Sequence, residues 1–124
     1  MPAGKLIHVV DDDLGFLKGI ERLLALHNLD VRTFASAEEF QAKANPDNAA
    51  CLILDIHLGS SSGIDLMHEL SRRGSTTPVI FVTASDEEKT RRAAFAAGCS
   101  DLLLKPFSAQ ILIDALHKAV STHS

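Results

Sequence analysis

The sequence predicts an α/β protein: five β–α repeats in a row, forming a doubly wound five-stranded parallel sheet with helices on both faces. Two observations carry this. Short continuous apolar runs of strand length alternate with longer segments whose apolar residues recur at helical spacing. The runs also lack the in-out alternation of a strand with one wet face, so they read as strands buried on both sides, which in a β–α succession means a parallel sheet. A chain of 124 residues is the length of one domain, long enough to bury roughly two-thirds of its unfolded surface. One domain over residues 1–124 is therefore expected, with no internal repeat, linker or low-complexity segment.

Taken in order, Leu6–Val10 is a compact β-branched run closed by Asp11, Asp12 and Asp13. Asp13 suits the first turn of a helix, whose dipole favours negative charge there. From Asp13 the period changes: Leu17, Ile20 and Leu24, with Leu23 and His27 alongside, share one helical face, and Asn28 is a stop. Val31–Phe34 is a second strand. Ser36 with Glu39 makes a capping box for a short helix that must end before Pro46. Cys51–Leu54 is the third strand, followed by Asp55 and the chain-bending Gly59 and Gly63. Ser62 with Asp65 opens a helix bearing Ile64, Leu66, Met67 and Leu70, and Gly74 ends it. Pro78–Val82 is the fourth strand. Ser85 with Glu88 reads as another capping box, for a helix over 86–97 that runs through Arg91, Arg92 and Phe95 to Gly98. Leu102–Leu104 is the fifth strand, and Ser108 begins a last helix with Leu112, Ala115, Leu116 and Ala119 on its inner face.

Composition excludes several classes of function. A net charge of −4 without a basic cluster argues against direct nucleic-acid binding by this chain. No apolar run approaches the roughly 20 residues of a membrane span, and the start MPAGKLIHVV lacks the layout of a signal peptide. Cys51 and Cys99 have no CxxC or His-spaced companions and read as buried thiols in a reducing compartment. A cytoplasmic location is expected. No glycine-rich nucleotide-binding motif comes after any strand.

The chemistry lies in the residues that end each strand. In an open parallel sheet the carboxyl ends of all strands lie on one edge, where ligands bind. That edge receives Asp11 and Asp12 from the first strand, Asp55 from the third, Thr83 from the fourth and Lys105 from the fifth. Each has an ordinary structural explanation alone; their convergence calls for another. Three carboxylates drawn together repel unless a cation intervenes. An all-oxygen cluster of few ligands suits Mg²⁺, which keeps several waters and is usually shared with phosphate. A metal-bound Asp, a lysine able to reach a phosphoryl oxygen and a threonine hydroxyl are the parts phosphoryl transfer needs.

The spacing VVDD (Val9–Asp12), Asp55 with Gly63 eight residues on, Thr83-Ala84 and Lys105-Pro106 resembles the receiver (CheY-like) domain of bacterial two-component response regulators, over Leu6 to about Val120. The resemblance implies a flavodoxin-like three-layer sandwich of strand order 2-1-3-4-5. It implies that Asp55 accepts a phosphoryl group from a sensor histidine kinase or a histidine phosphotransfer protein. Asp12 and Asp55 would bind Mg²⁺ directly, with Asp11 assisting through water and the backbone carbonyl of His57 as a further ligand. Thr83 and Lys105 would contact the phosphoryl oxygens with Ala84 beside them, and the Lys105–Pro106 bond would be cis. Such a chain is a signalling phosphoacceptor whose own chemistry is limited to gaining and losing that group. Its output face, over 86–120, allows a homodimer.

Three positions depart from the family. Leu58-Gly59 stands where Met-Pro is common, so a more flexible loop is expected there. His57 occupies the position that tunes acyl-phosphate lifetime. Leu102 replaces the aromatic that usually reports phosphorylation together with Thr83, which calls for a different route to the output face. Two alternatives belong to other classes. An Asp-nucleophile phosphatase would want an acid two residues after Asp55, where His57 stands, and a capping insertion that 124 residues do not hold. A pseudo-receiver interaction module usually lacks one of the acids or the lysine, all present here. SAEEF (Ser36–Phe40) is similar to receivers that precede a helix-turn-helix transcription domain.

Overall fold

A computed structural model describes residues 6–122. Five strands, β1 (Leu6–Val10), β2 (Asp30–Phe34), β3 (Cys51–Asp55), β4 (Val79–Thr83) and β5 (Asp101–Leu104), form one parallel sheet of order β2-β1-β3-β4-β5. Helices α1 (Leu14–Leu26), α2 (Ala37–Lys43), α3 (Gly63–Arg72), α4 (Glu88–Ala96) and α5 (Ala109–Thr122) connect and cover it. The register aligns the strand ends: Val10 sits opposite Phe34 and Leu54, Asp55 opposite Val82, and Thr83 opposite Leu104.

Strand alternation splits the core in two. Ile7, Val9, Cys51, Ile53, Ile80 and Val82 point to one face, where Leu17, Ile20 and Leu24 of α1 meet Leu112, Ala115, Leu116 and Ala119 of α5. Val10, Leu52, Leu54, Val79 and Phe81 point to the other, under Phe40 of α2, Leu66, Met67 and Leu70 of α3, and Ala94 of α4. The central strands are therefore apolar at nearly every position, with His8 of β1 the buried polar exception, and near-continuous apolar runs are what the sequence carries. Burying each such large side chain contributes about 1.5–3 kcal/mol.

Helix ends obey local chemistry. Asp13 is the N-cap of α1, its side chain accepting from the Phe16 N–H, and Asn28, at φ 62°, closes the helix with its N–H donating to the Ala25 carbonyl. Ser36 Oγ accepts from the Glu39 N–H at 3.0 Å, and Glu39 Oε1 accepts from the Ala35 N–H at 2.8 Å. Ser62 caps α3, and Gly74 lies just past its C-cap.

The structure corrects several sequence expectations. The Ser85–Glu88 capping box does not form: α4 starts at Glu88 with Glu87 as an N-cap that makes no side-chain bond, and Ser85 Oγ accepts from the Glu87 N–H at 3.2 Å. The Ser85 N–H donates to Thr83 Oγ1 at 3.1 Å, so the chain leaving β4 is wound into consecutive side-chain-capped turns before the helix can begin. His27 is exposed, because the helix ends there and its ring turns back to the Leu23 carbonyl instead of joining the core. Cys99 is half-buried, not buried. The segment after Asp55 is a two-stranded antiparallel ribbon, His57–Leu58 against Ser61–Ser62, with Gly59 at φ 62° in its turn and Leu58 buried beneath. The Lys105–Pro106 peptide is cis.

Candidate functional site

Four strand ends deliver the site. The Asp11 N–H donates to the Phe34 carbonyl, extending the β1–β2 ladder by one residue and burying the Asp11 side chain completely. Asp55 ends β3 and is 6% exposed, while Asp12 faces solvent. Each of the three acids presents a carboxylate oxygen within 4.8 Å of the others. The Lys105 N–H donates to the Thr83 carbonyl at 2.8 Å, fixing the lysine just beyond β5. From there its ammonium reaches Asp11 Oδ2 at 2.7 Å and Asp55 Oδ2 at 3.5 Å.

The charges are out of balance. Burial, and then the charge of Asp11, push the Asp55 carboxyl up to about 6 against a hydrogen bond from the His57 N–H and the attraction of Lys105. Burial works against the Lys105 ammonium too, but its bond to Asp11 and the charges of Asp55 and Asp11 outweigh that and hold its pKa above the ordinary lysine value. One cation thus pairs with two buried acids, while a third acid, Asp12, stands beside them at the rim. A second cation would relieve the excess, and an all-oxygen donor set fits a hard divalent ion.

The backbone beneath Asp55 is tight. Gly63, the first residue of α3, donates its N–H to the Ile56 carbonyl at 2.8 Å, and a Cβ there would stand 2.2 Å from the Asp55 carbonyl oxygen. Only glycine lets the helix approach the strand end this closely.

Asp11, Asp12, Asp55 and Lys105 are thus brought together. Thr83 is buried at the same edge, its hydroxyl accepting from the Ser85 N–H, and Ala84 comes next, on the surface. The His57 side chain is exposed, and its backbone N–H donates to Asp55 Oδ1 at 3.1 Å. Sequence reasoning missed Phe16, over whose ring the Lys105 ammonium sits at 4.2 Å from the centroid. In a helical pattern Phe16 counts as one more apolar residue; its place in the first turn of α1, beside the acidic rim, is the signal that could have singled it out.

Comparison with known proteins agrees with this geometry. The family model described as response regulator receiver domain matches residues 7–117. Over 111 residues the chain is 35% identical to nodulation protein W of Bradyrhizobium diazoefficiens, covering 90% of this chain and 49% of that protein. It is also 35% identical over 115 residues to the transcriptional regulatory protein TdiR of Thauera aromatica, covering 93% of this chain and 51% of that one. The chain spans about half the length of the curated relatives it matches. A response regulator receiver protein from Pseudoalteromonas atlantica superposes with a TM-score of 0.87 at 27% identity, over 96% of this chain and 99% of that one. With fold, acidic rim and lysine in agreement with the match over 7–117, the chain belongs to the response regulator receiver domain family of two-component systems.

Proposed function

We propose that Asp55 is the phosphoacceptor of this receiver domain, loaded from a sensor histidine kinase or a histidine phosphotransfer protein with Mg²⁺ at the rim. The observation that carries the proposal is the convergence of Asp11, Asp12 and Lys105 on the Asp55 carboxylate. In the step, an Asp55 carboxylate oxygen forms a bond to phosphorus as the bond from phosphorus to the donor's imidazole nitrogen breaks, and the imidazole leaves with its electron pair. Asp12 and Asp55 would hold the metal, with Asp11 behind them and the His57 carbonyl completing the set; when bound, Mg²⁺ supplies neutralisation of charge on the transferring group. Lys105 takes a phosphoryl oxygen by charge, and the Thr83 hydroxyl donates to another while Ala84 lines the site.

The whole chain, 1–124, acts as one domain in the cytoplasm. No helix among the described residues is long and apolar enough to cross a membrane. Gaining and losing the phosphoryl group is its own chemistry, and the change is passed to the face over 86–120, where a homodimer forms. Since TdiR is a transcriptional regulatory protein about twice the matched length, the natural output is control of a transcription domain.

Incubation with acetyl phosphate should add one alkali-labile phosphoryl group by intact mass. Asp55→Asn and excess EDTA should each abolish it. Labelling of Asp55→Asn at the parent rate would place the acceptor elsewhere.

A further inference from the structure

We propose that Phe16 is a positioning residue for Lys105: its ring face holds the lysine ammonium at the rim, and Phe107 holds the ring. The inference rests on the phosphoacceptor reading of Asp55 and adds a part that reading does not contain. Lys105 Nζ lies 4.2 Å from the Phe16 ring centroid, within the range where an ammonium is drawn to the negative face of an aromatic ring. Phe107, two residues beyond Lys105, meets Phe16 edge to face with centroids 6.0 Å apart at 84°. The other end of the ring's support is the α1 cap, where the Phe16 N–H donates to Asp13 Oδ1 at 3.2 Å. Phe16 is therefore fixed from its backbone and from its edge, and both rings are half-buried against the α1–α5 core.

A lysine needs such a support more than an arginine would. Its ammonium is a point charge on four flexible carbons, without a planar fork to set direction. Asp11 and Asp55 attract it, but these carboxylates are the groups that a divalent cation and a phosphoryl group would engage. Once they are engaged, their pull on Lys105 changes. The ring carries no net charge and its attraction does not depend on their state. It keeps the ammonium beside Asp55 before, during and after transfer, so the conformational freedom lost in placing the lysine is given up once, in folding.

The test replaces Phe16 by Tyr, by Leu, and by phenylalanines carrying one and three ring fluorines, which keep the ring's shape and drain its face of negative potential. Acetyl phosphate supplies the phosphoryl group and beryllofluoride the phosphoryl mimic. Phe16→Tyr should react at the parent rate, whereas Phe16→Leu should lose about three- to tenfold in phosphorylation rate and in beryllofluoride affinity. The fluorinated series should fall monotonically between them. A second measurement needs no phosphorylation: the Lys105 ε-methylene protons, read by NMR, should be shifted upfield by the ring in the parent and return to ordinary values in Phe16→Leu. No trend across the fluorinated series, or ordinary Lys105 shifts in a parent that takes phosphate, overturns the proposal and leaves the phosphoacceptor reading standing. A parent with ring-shifted Lys105 signals that takes no phosphate overturns the phosphoacceptor reading, and the positioning role with it.

Discussion

Two buried ionisable residues set the pH response, and they act in opposite senses. Asp55 holds its proton more tightly folded, at about 6, than unfolded, near 3.8. Its ionisation therefore erodes stability as pH rises between those values, and the loss is complete above them. Asp55→Asn has nothing to ionise. In EDTA at pH 7.5 it should be more stable than the parent in urea unfolding, and the gap should close toward pH 4. An equal gap at both pH values would mean that the charge of Asp55 is not the cause. His8 is the converse case. Its ring is 1% exposed, edge-on to Phe34 and Phe40, with neither nitrogen in a hydrogen bond among the described residues. Burial lowers its pKa below 6.5, the Asn45 backbone offsetting part of this and the Arg32 charge adding to it. The unfolded chain then takes a proton that the folded chain refuses, so stability falls as pH drops below 6.5. His8→Leu should stabilise by about 1–3 kcal/mol and flatten that part of the pH profile. A destabilised variant with the parent's pH dependence would show that the ring's packing, not its polarity, matters.

Among the elements, the junction of β3 and α3 is the least tolerant. Gly63→Ala drives a methyl group into the Asp55 carbonyl, 2.2 Å away on the existing backbone. It should cost about 1–3 kcal/mol and slow acetyl phosphate labelling, because relief of the clash moves Asp55. Ser62→Ala, one residue earlier, removes a cap and should cost about 1 kcal/mol while leaving labelling unchanged. The pair separates helix stability from site geometry; equal labelling by both would deny Gly63 any part in placing Asp55. The β4–α4 connection is built differently. Thr83 and Ser85 take the first turns for themselves, leaving α4 with a side-chain-uncapped start at Glu88. Leu102 borders this connection across a cleft of about 100 Å³ shared with Thr83, Ser85 and Arg91. An uncapped helix start and a loop pinned by the Thr83 hydroxyl are elements that a new hydrogen bond at Thr83 would disturb first.

For the whole molecule, the acidic rim is a strain that folding creates. Folding brings Asp55 and the Lys105 ammonium from distant parts of the chain to the neighbouring Asp11 and Asp12, so that three carboxylates gather around one ammonium. A cation that binds only the folded state stabilises it by about 2.7 kcal/mol at a hundred times its dissociation constant. Mg²⁺ should therefore raise the melting temperature of the parent by several degrees and do much less for Asp12→Ala, by calorimetry. Equal shifts in the two proteins would put the metal somewhere else.

The type of the sheet strands, their succession along the chain and the residues at their ends were legible because parallel strands buried on both faces are apolar at nearly every position. The spatial order of the strands was implied by the family resemblance alone and is set by the pairing of the packed sheet. Cys51–Leu54 and Pro78–Val82 are visible because of that apolar character, and the first polar residue after each run is necessarily at the rim. Asp11, Asp55, Thr83 and Lys105 needed no contact to be found. What the sequence could not carry is where competing local bonds go. Ser85 and Glu88 have the spacing of a capping box, but Thr83, held at the strand end by the β4–β5 register, takes the Ser85 N–H first. His27 has the spacing of a core residue and ends outside the helix it was counted in. The Phe16–Lys105 contact joins residues far apart in the chain through the packing of α1 against the connection between β5 and α5. Periodicity records which face a residue is on; only the packed sheet decides which groups from different strands come within reach of each other.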